Sequence, residues 1–215
     1  MAMAVTEIFY SLQGESTRAG RPCVFVRFTG CDLRCTWCDT AYAFHGGQKM
    51  GLEEILEAVG RHPARYVALP GGEPLLQKEL PELARALLDR GYEVAIETHG
   101  QVSWDALPPE VIKIVDVKPP GSGEVAGEAD LARLRTLGPR DELKFVIASE
   151  ADFRWSAEVV RRHGLEGRFA ALLFSPVHGQ VEPKDLAAWL LASGIDGRMQ
   201  LQLHKLIWGS EARGV

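Results

Sequence analysis

Val24-Phe25-Val26-Arg27-Phe28-Thr29-Gly30-Cys31-Asp32-Leu33-Arg34-Cys35-Thr36-Trp37-Cys38 decides the architecture of this chain. Its first five residues are β-branched or aromatic but for Arg27, the composition of a buried strand. Three cysteines follow at once, at Cys31, Cys35 and Cys38. Three thiolates in so short a loop can grip one face of an iron–sulfur cubane, whereas a cluster held wholly by protein takes four. The only other cysteine, Cys23, sits inside the apolar run and reads as a small core residue. One iron is then open to a substrate or cofactor, which points to redox catalysis rather than electron transfer alone.

Other uses of the cysteines fit less well. A disulfide framework belongs to short secreted chains rich in cysteine, and this chain has 4 in 215 residues with no export segment at its start. Structural zinc wants four ligands, and His45 is the only histidine close downstream. A dithiol at Cys35 and Cys38 leaves Cys31 idle.

Working outward, short β-rich runs alternate with helical patterns. Strands are expected at Val24–Phe28, Tyr66–Leu69, Glu93–Glu97, Ile112–Val117, Glu142–Ile147, Ala170–Phe174 and Met199–Leu203. Helical periodicity is clearest where Leu80, Leu83, Leu87 and Leu88 share a face and Gly91 supplies the stop. Further helices are expected near Leu52–Val59, Asp130–Leu137, Ala157–His163 and Pro183–Leu191. The N-terminal run Ile8–Glu15 is read as preceding the main sheet. Alternation of this kind builds a mostly parallel α/β sheet with right-handed crossovers. A closed eight-fold barrel takes about 250 residues, so the expectation is an incomplete, TIM-like barrel of about six parallel strands with modified crossover helices. Residues 1–215 read as one domain, 46% hydrophobic, with net charge -5. That charge gives no reason to expect nucleic acid or an anionic membrane as partner, and no apolar stretch reaches transmembrane length. Reduced thiols favour the cytoplasm.

In parallel sheets ligands gather beyond the carboxyl ends of the strands, and the unusual motifs fall there. Gly71-Gly72-Glu73-Pro74 can bring backbone close to a ligand, with Glu73 suited to an amino group. Glu97 can accept from ribose hydroxyls or stand as a solvated carboxylate at a strand end, while Lys118 and Lys144 can meet a carboxylate or sugar or lie at the surface. Arg27, two residues after Phe25, points into the barrel, where it needs a substrate carboxylate or an internal acid as partner. Gln13 can read a heterocycle edge, and Gly14 allows backbone contact. The Thr40 hydroxyl can hold a hard cation or cap a turn. His99 reads as a loop or supporting residue rather than a metal ligand.

The cysteine spacing resembles the signature of the radical S-adenosylmethionine superfamily. More narrowly, Phe9–Glu15, Phe25–Cys31 and Trp37-Cys38-Asp39-Thr40, continued by Gly71–Pro74, Glu97-Thr98, Lys118-Pro119 and His204-Lys205, resemble the 7-carboxy-7-deazaguanine synthases over essentially the whole chain. The resemblance implies ring contraction of 6-carboxy-5,6,7,8-tetrahydropterin to 7-carboxy-7-deazaguanine with loss of ammonia, in queuosine and 7-deazapurine biosynthesis. It implies a [4Fe–4S] cluster on Cys31, Cys35 and Cys38, S-adenosylmethionine, and Mg²⁺ at Thr40. Trp37, Asp39, Gly72, Glu73, Glu97, Asp116, Val117, Lys118 and the segment Lys144, Phe145, Val146 and Ile147 would surround the cofactor. Leu12, Gln13, Gly14 and Arg27 would hold the pterin. Pro70 stands where threonine is frequent, and Ser16 where glycine is frequent. A homodimer and a flavodoxin- or ferredoxin-like electron donor are also implied, and the tail Arg213-Gly214-Val215 could close over substrate. A glycyl-radical activating enzyme would share the cysteine spacing but not the Leu-Gln-Gly-Glu element, and a non-catalytic metal module would share only the thiols.

Overall fold

A computed structural model describes residues 2–215. Its strands are β1 (Ala2–Leu12), β2 (Pro22–Phe28), β3 (Gln48–Gly51), β4 (Tyr66–Leu69), β5 (Glu93–Thr98), β6 (Ile112–Asp116), β7 (Glu142–Ile147), β8 (Ala171–Pro176) and β9 (Arg198–Met199). They form one sheet in the order β3-β1-β2-β4-β5-β6-β7-β8-β9. Every pairing from β2 to β9 is parallel, and β1 pairs antiparallel with both β2 and β3. The two ends of the sheet do not meet, so this is an open, partial barrel as the alternation predicts.

Helices α1 (Leu52–Gly60), α2 (Leu80–Asp89), α3 (Glu128–Arg133), α4 (Glu150–His163), α5 (Pro183–Ser193) and α6 (Leu203–Trp208) complete the chain. α2 begins with proline in its first turn and buries Leu80, Leu83, Ala84 and Leu87 against the sheet. Each buried leucine contributes about 2 kcal/mol of transfer free energy. In α4 the Ser149 hydroxyl accepts from Asp152 N, and Gly164 at φ 59° ends the helix. The β5–β6 connection carries no helix among the described residues.

Two expectations are corrected. The N-terminal run is not outside the sheet: Ala2–Leu12 is an 11-residue strand paired from Val5↔Phe28 to Leu12↔Pro22. Thr6, Glu7, Tyr10 and Ser11 break its apolar pattern, because one strand so near the edge is only half-buried. The last strand is two residues long, and Leu203 opens α6 instead of ending a strand.

Period-two alternation divides the sheet into two faces. Val24, Val26, Phe28, Val67, Leu69, Val94, Ile96, Val115, Leu143, Phe145 and Ile147 join the large core under the helices. Cys23, Phe25, Tyr66, Ala68, Ala95, Ile112 and Ile114 fill the barrel interior. Arg27, Glu97, Asp116 and Lys144 share the interior parity and rise above that plug toward the carboxyl ends.

At the opposite end the loop from Gln13 to Arg21 seals the floor. Arg18 donates from Nε to Glu93 at 2.7 Å and from Nη1 to Glu142 at 2.8 Å, and Thr17 donates to Glu142 from both N and Oγ1. Ser16 sits at φ 70°, the left-handed region where glycine is at ease, which accounts physically for glycine at that position in the pattern it resembles. Glu142 is fully buried. Arg18→Met should therefore cost about 3 kcal/mol in urea unfolding, since it leaves the buried Glu142 carboxylate with Thr17's two hydrogen bonds but without the countercharge that pairs with it. Arg61→Ala, which breaks only the exposed pair with Glu57, should cost no more than about 0.5 kcal/mol.

Candidate active site

A cavity of about 290 Å³ opens at the carboxyl ends of the parallel strands. Cys31, Cys35 and Cys38 line it together with Arg27, Glu97, Asp116, Lys118 and Lys144. The cysteine loop is fastened from several sides. Gly30 N donates to Ala43 O at 2.8 Å, and Thr36 donates through N to Ser122 O and through Oγ1 to Gly121 O, both at 3.0 Å. The Arg34 guanidinium donates to the carbonyls of Cys31 and Leu33, and Arg34 N donates to Glu124 Oε1.

Glycine at 71 and 72 serves this loop. A Cβ on Gly72 would meet Gly30 O at 2.1 Å and the Cys31 Cβ at 2.7 Å, and one on Gly71 would meet Phe28 O at 2.9 Å. Glu73 N donates to Gly30 O at 2.7 Å. The Glu73 carboxylate is fully buried and accepts from Leu75 N, Thr98 Oγ1 and His99 N. Burial pushes its carboxyl pKa up, and His99 with these donors opposes the shift.

Inside the cavity the charges are paired. Lys144 Nζ lies 2.7 Å from Glu15 Oε2 and 3.6 Å from Asp116 Oδ2, and Lys118 Nζ lies 2.9 Å from Asp116 Oδ2. Desolvation lowers both ammonium pKa values, but the acids outweigh it and both are held above the usual lysine range. Gln13 Nε2 donates to Glu97 Oε1 at 3.0 Å. Burial raises Glu97 against the pull of Lys144. Among the described residues, three buried polar atoms of the lining have no partner: Glu15 Oε1, Asp116 Oδ1 and Trp37 Nε1. Two orphan acceptors and one orphan donor suit a polar ligand rich in N–H and O–H groups.

The C-terminal segment forms one wall. Leu203 N donates to Gly14 O at 2.9 Å, and the His204 ring covers Gly14 so closely that a Cβ there would meet Nδ1 at 2.0 Å. Lys205 Nζ meets Asp39 Oδ2 at 2.7 Å, and Arg213 lies 4.3 Å over the Tyr42 ring. Burial raises the Asp39 carboxyl, yet Lys205 more than reverses this and holds it below the ordinary range. Residues 210–215 complete the lining.

Residues 25–116 match the model of the radical SAM superfamily. The 7-carboxy-7-deazaguanine synthase of Koribacter versatilis is 46% identical over 99% of this chain and 100% of its own length. That of Chlorobaculum tepidum is 46% identical over 98% and 96%. This chain belongs to the 7-carboxy-7-deazaguanine synthase family. The crystal structure of QueE from Escherichia coli superposes with a TM-score of 0.76 over 95% of each chain, at 23% identity, which bears on the fold.

A radical S-adenosylmethionine enzyme of this family carries a [4Fe–4S] cluster and S-adenosylmethionine, and the residues fit them. All three loop cysteines are free and half-buried. Desolvation raises Cys31 and Cys35, while Lys118 pulls Cys35 back toward the thiolate that iron requires. Cys23 is fully buried in the barrel plug, with its thiol pKa raised by burial, so the cluster receives three sulfurs and keeps one open iron.

Strand parity sorts the remaining sequence candidates. Trp37, Asp39, Thr40, Pro70, Gly72, Glu97, Asp116, Lys118, Lys144 and Val146 line the cavity. Val117, Phe145 and Ile147 do not, because they face the helix-side core. Glu73 is consumed by protein donors. Arg27 reaches the cavity, but its Nε donates to Glu7 Oε1 at 2.8 Å, the internal pairing that its position left open. Leu12 borders a separate groove, Gln13 braces Glu97, and Gly14 supports the C-terminal wall. Sequence reasoning did not single out Glu15 as the partner of Lys144, nor the Lys205–Asp39 contact.

His204 gives the wall a pH dependence. Burial lowers its pKa below the usual 6.5, so the undocked segment takes up a proton first as the pH falls. Docking should be unaffected by this group above about pH 7.5 and should weaken progressively below about pH 6.5. Limited proteolysis of the C-terminal segment across that range measures it, and His204→Gln should flatten the profile.

Proposed function

We propose that this chain converts 6-carboxy-5,6,7,8-tetrahydropterin to 7-carboxy-7-deazaguanine and ammonia. The observation that carries the reading is the shared cavity, in which the three cysteines face orphan acceptors on Glu15 and Asp116 and the cationic groups of Arg27, Lys118 and Lys144. A pterin carboxylate and an amino-bearing heterocycle need cations and acceptors of this kind. Substrate less ammonia equals product, so the conversion consumes no net oxidant. When bound, the reduced cluster and S-adenosylmethionine supply a carbon radical able to take a hydrogen atom from an unactivated position.

The chain's own residues bind, orient and exclude water. Arg27, held from behind by Glu7, presents its guanidinium to the cavity, and the substrate carboxylate can share it. Asp116 Oδ1 and Glu97, braced by Gln13, are placed to accept from cofactor amino or hydroxyl groups. Lys144 fixes Glu15 so that Oε1 faces the ligand. Thr40 Oγ1, 3.8 Å from Cys38 Sγ, would offer its oxygen to Mg²⁺, whose charge would offset that of the substrate carboxylate. The tail from Ser210 to Val215 closes the cavity on one side. A flavodoxin- or ferredoxin-like donor, a homodimer and a cytoplasmic location complete the proposal. No described helix is long and apolar enough to cross a membrane, and Leu206, Ile207 and Trp208 on α6 leave apolar surface exposed.

Anaerobic reconstitution with iron, sulfide, reductant, S-adenosylmethionine, Mg²⁺ and the pterin should give 7-carboxy-7-deazaguanine over many turnovers without matching loss of S-adenosylmethionine. Cofactor cleavage with the pterin untouched would retain the superfamily and reject the substrate. Thr40→Ala should lower turnover at least about tenfold with cluster content unchanged. Arg27→Ala should raise KM for the pterin roughly tenfold to a hundredfold, the worth of a charge-assisted hydrogen bond, and leave S-adenosylmethionine binding nearly intact.

A further inference from the structure

His99 holds a set of hydrogen bonds to which the proposed function assigns no role. Its ring is buried, at 6% exposure, at the cavity wall beside the cysteine loop. Gln101 N donates to Nδ1 at 3.1 Å, so that nitrogen presents its lone pair and the ring hydrogen resides on Nε2. Nε2 in turn lies 2.9 Å from Asp32 Oδ1 and 3.2 Å from Glu73 Oε2. These two carboxylates belong to different bodies. Glu73 is fully buried and fixed by the ends of β4 and β5, whereas Asp32 is half-exposed on the cysteine loop, next to Cys31.

Cys31 Sγ, an Asp32 carboxylate oxygen and a His99 ring nitrogen all lie within 4.8 Å of one another. The trio does not suit a metal ion. A metal on Nε2 would move the ring hydrogen to Nδ1, where it would confront the N–H of Gln101. The arrangement suits a clamp instead. We infer that His99 is a positioning residue whose Nε2–H ties Asp32 to the Glu73 frame and so sets where the Cys31 sulfur meets the cluster. This rests on the cluster assigned above. Hydrogen-bonded partners one step behind a ligand govern both metal retention and the electronic state of an iron–sulfur cluster.

The test compares reconstituted wild-type protein with His99→Phe, His99→Gln, Asp32→Ala and the Phe/Ala double variant. It reads the rate at which a ferrous chelator strips iron and the electron paramagnetic resonance spectrum of the reduced cluster. His99→Phe should lose iron about tenfold faster with altered g values. His99→Gln, which keeps an N–H near the Nε2 position, should recover most of that loss. Asp32→Ala should match His99→Phe, and the double variant should be no worse than either, since both remove one link. Wild-type iron release and an unchanged spectrum in His99→Phe would overturn the inference, as would equal damage in the Phe and Gln variants. Melting of the metal-free proteins reports whether His99→Phe folds. Should it not fold, Asp32→Ala decides, and release at the wild-type rate refutes the clamp. A wild-type protein that takes up no iron would refute the cluster assignment itself, and the clamp with it.

Discussion

The mouth of this barrel depends on one buried carboxylate. Glu73 is removed entirely from water, a state that costs several kcal/mol unless donors replace the lost solvent. Here they do: an amide in its own turn, the Thr98 hydroxyl and the His99 amide all converge on it. Because those donors come from the ends of two strands, satisfying the carboxylate fixes the two loops relative to each other. The cysteine loop then packs on that frame, with no room for a side chain on Gly71 or Gly72 against Phe28, Gly30 and Cys31. The start of the cysteine loop thus rests on a hydrogen-bonding requirement some residues away, while Gly121, Ser122 and Glu124 hold its middle.

Charge inside the barrel obeys the same economy. Lys144 and Lys118 are tolerated because Glu15 and Asp116 are there to meet them, and Glu15 arrives from the N-terminal loop, far away in sequence. That loop also seals the floor through Arg18 and Thr17. One excursion between β1 and β2 therefore supplies both the bottom of the barrel and a ligand-facing acid near its top. The unpaired oxygens of Glu15 and Asp116 are what remains for a ligand once these internal needs are met.

Much of this was legible in the sequence. Tyr66–Leu69 and Glu142–Ile147 stand as expected, because dense β-branched and aromatic runs bounded by turns leave little ambiguity. β1 escaped since a strand near the edge, half-exposed, need not carry an apolar run, and its pairing is decided by distant residues. Within the site, the cysteine spacing declared its chemistry without help. Naming Val117, Phe145 and Ile147 beside Lys144 and Val146 ignored a signal that was present, for strand alternation sends them to the opposite face. The roles of His99, Glu15 and Lys205 were not legible, since each depends on a contact between segments that only folding brings together.

A sheet that does not close must defend two free edges against pairing with another chain. One edge is β3, four residues long, with Gln48 and Lys49 exposed, and the other is β9, two residues long, with Arg198 exposed. β3 covers only residues 2–5 of β1, so among the described residues positions 6–12 have no strand on that side, where Thr6, Glu7 and Ser11 keep β1 from being an apolar ladder. Short outermost strands and polar side chains along the uncovered part of β1 are thus what this open sheet sets against pairing with another chain.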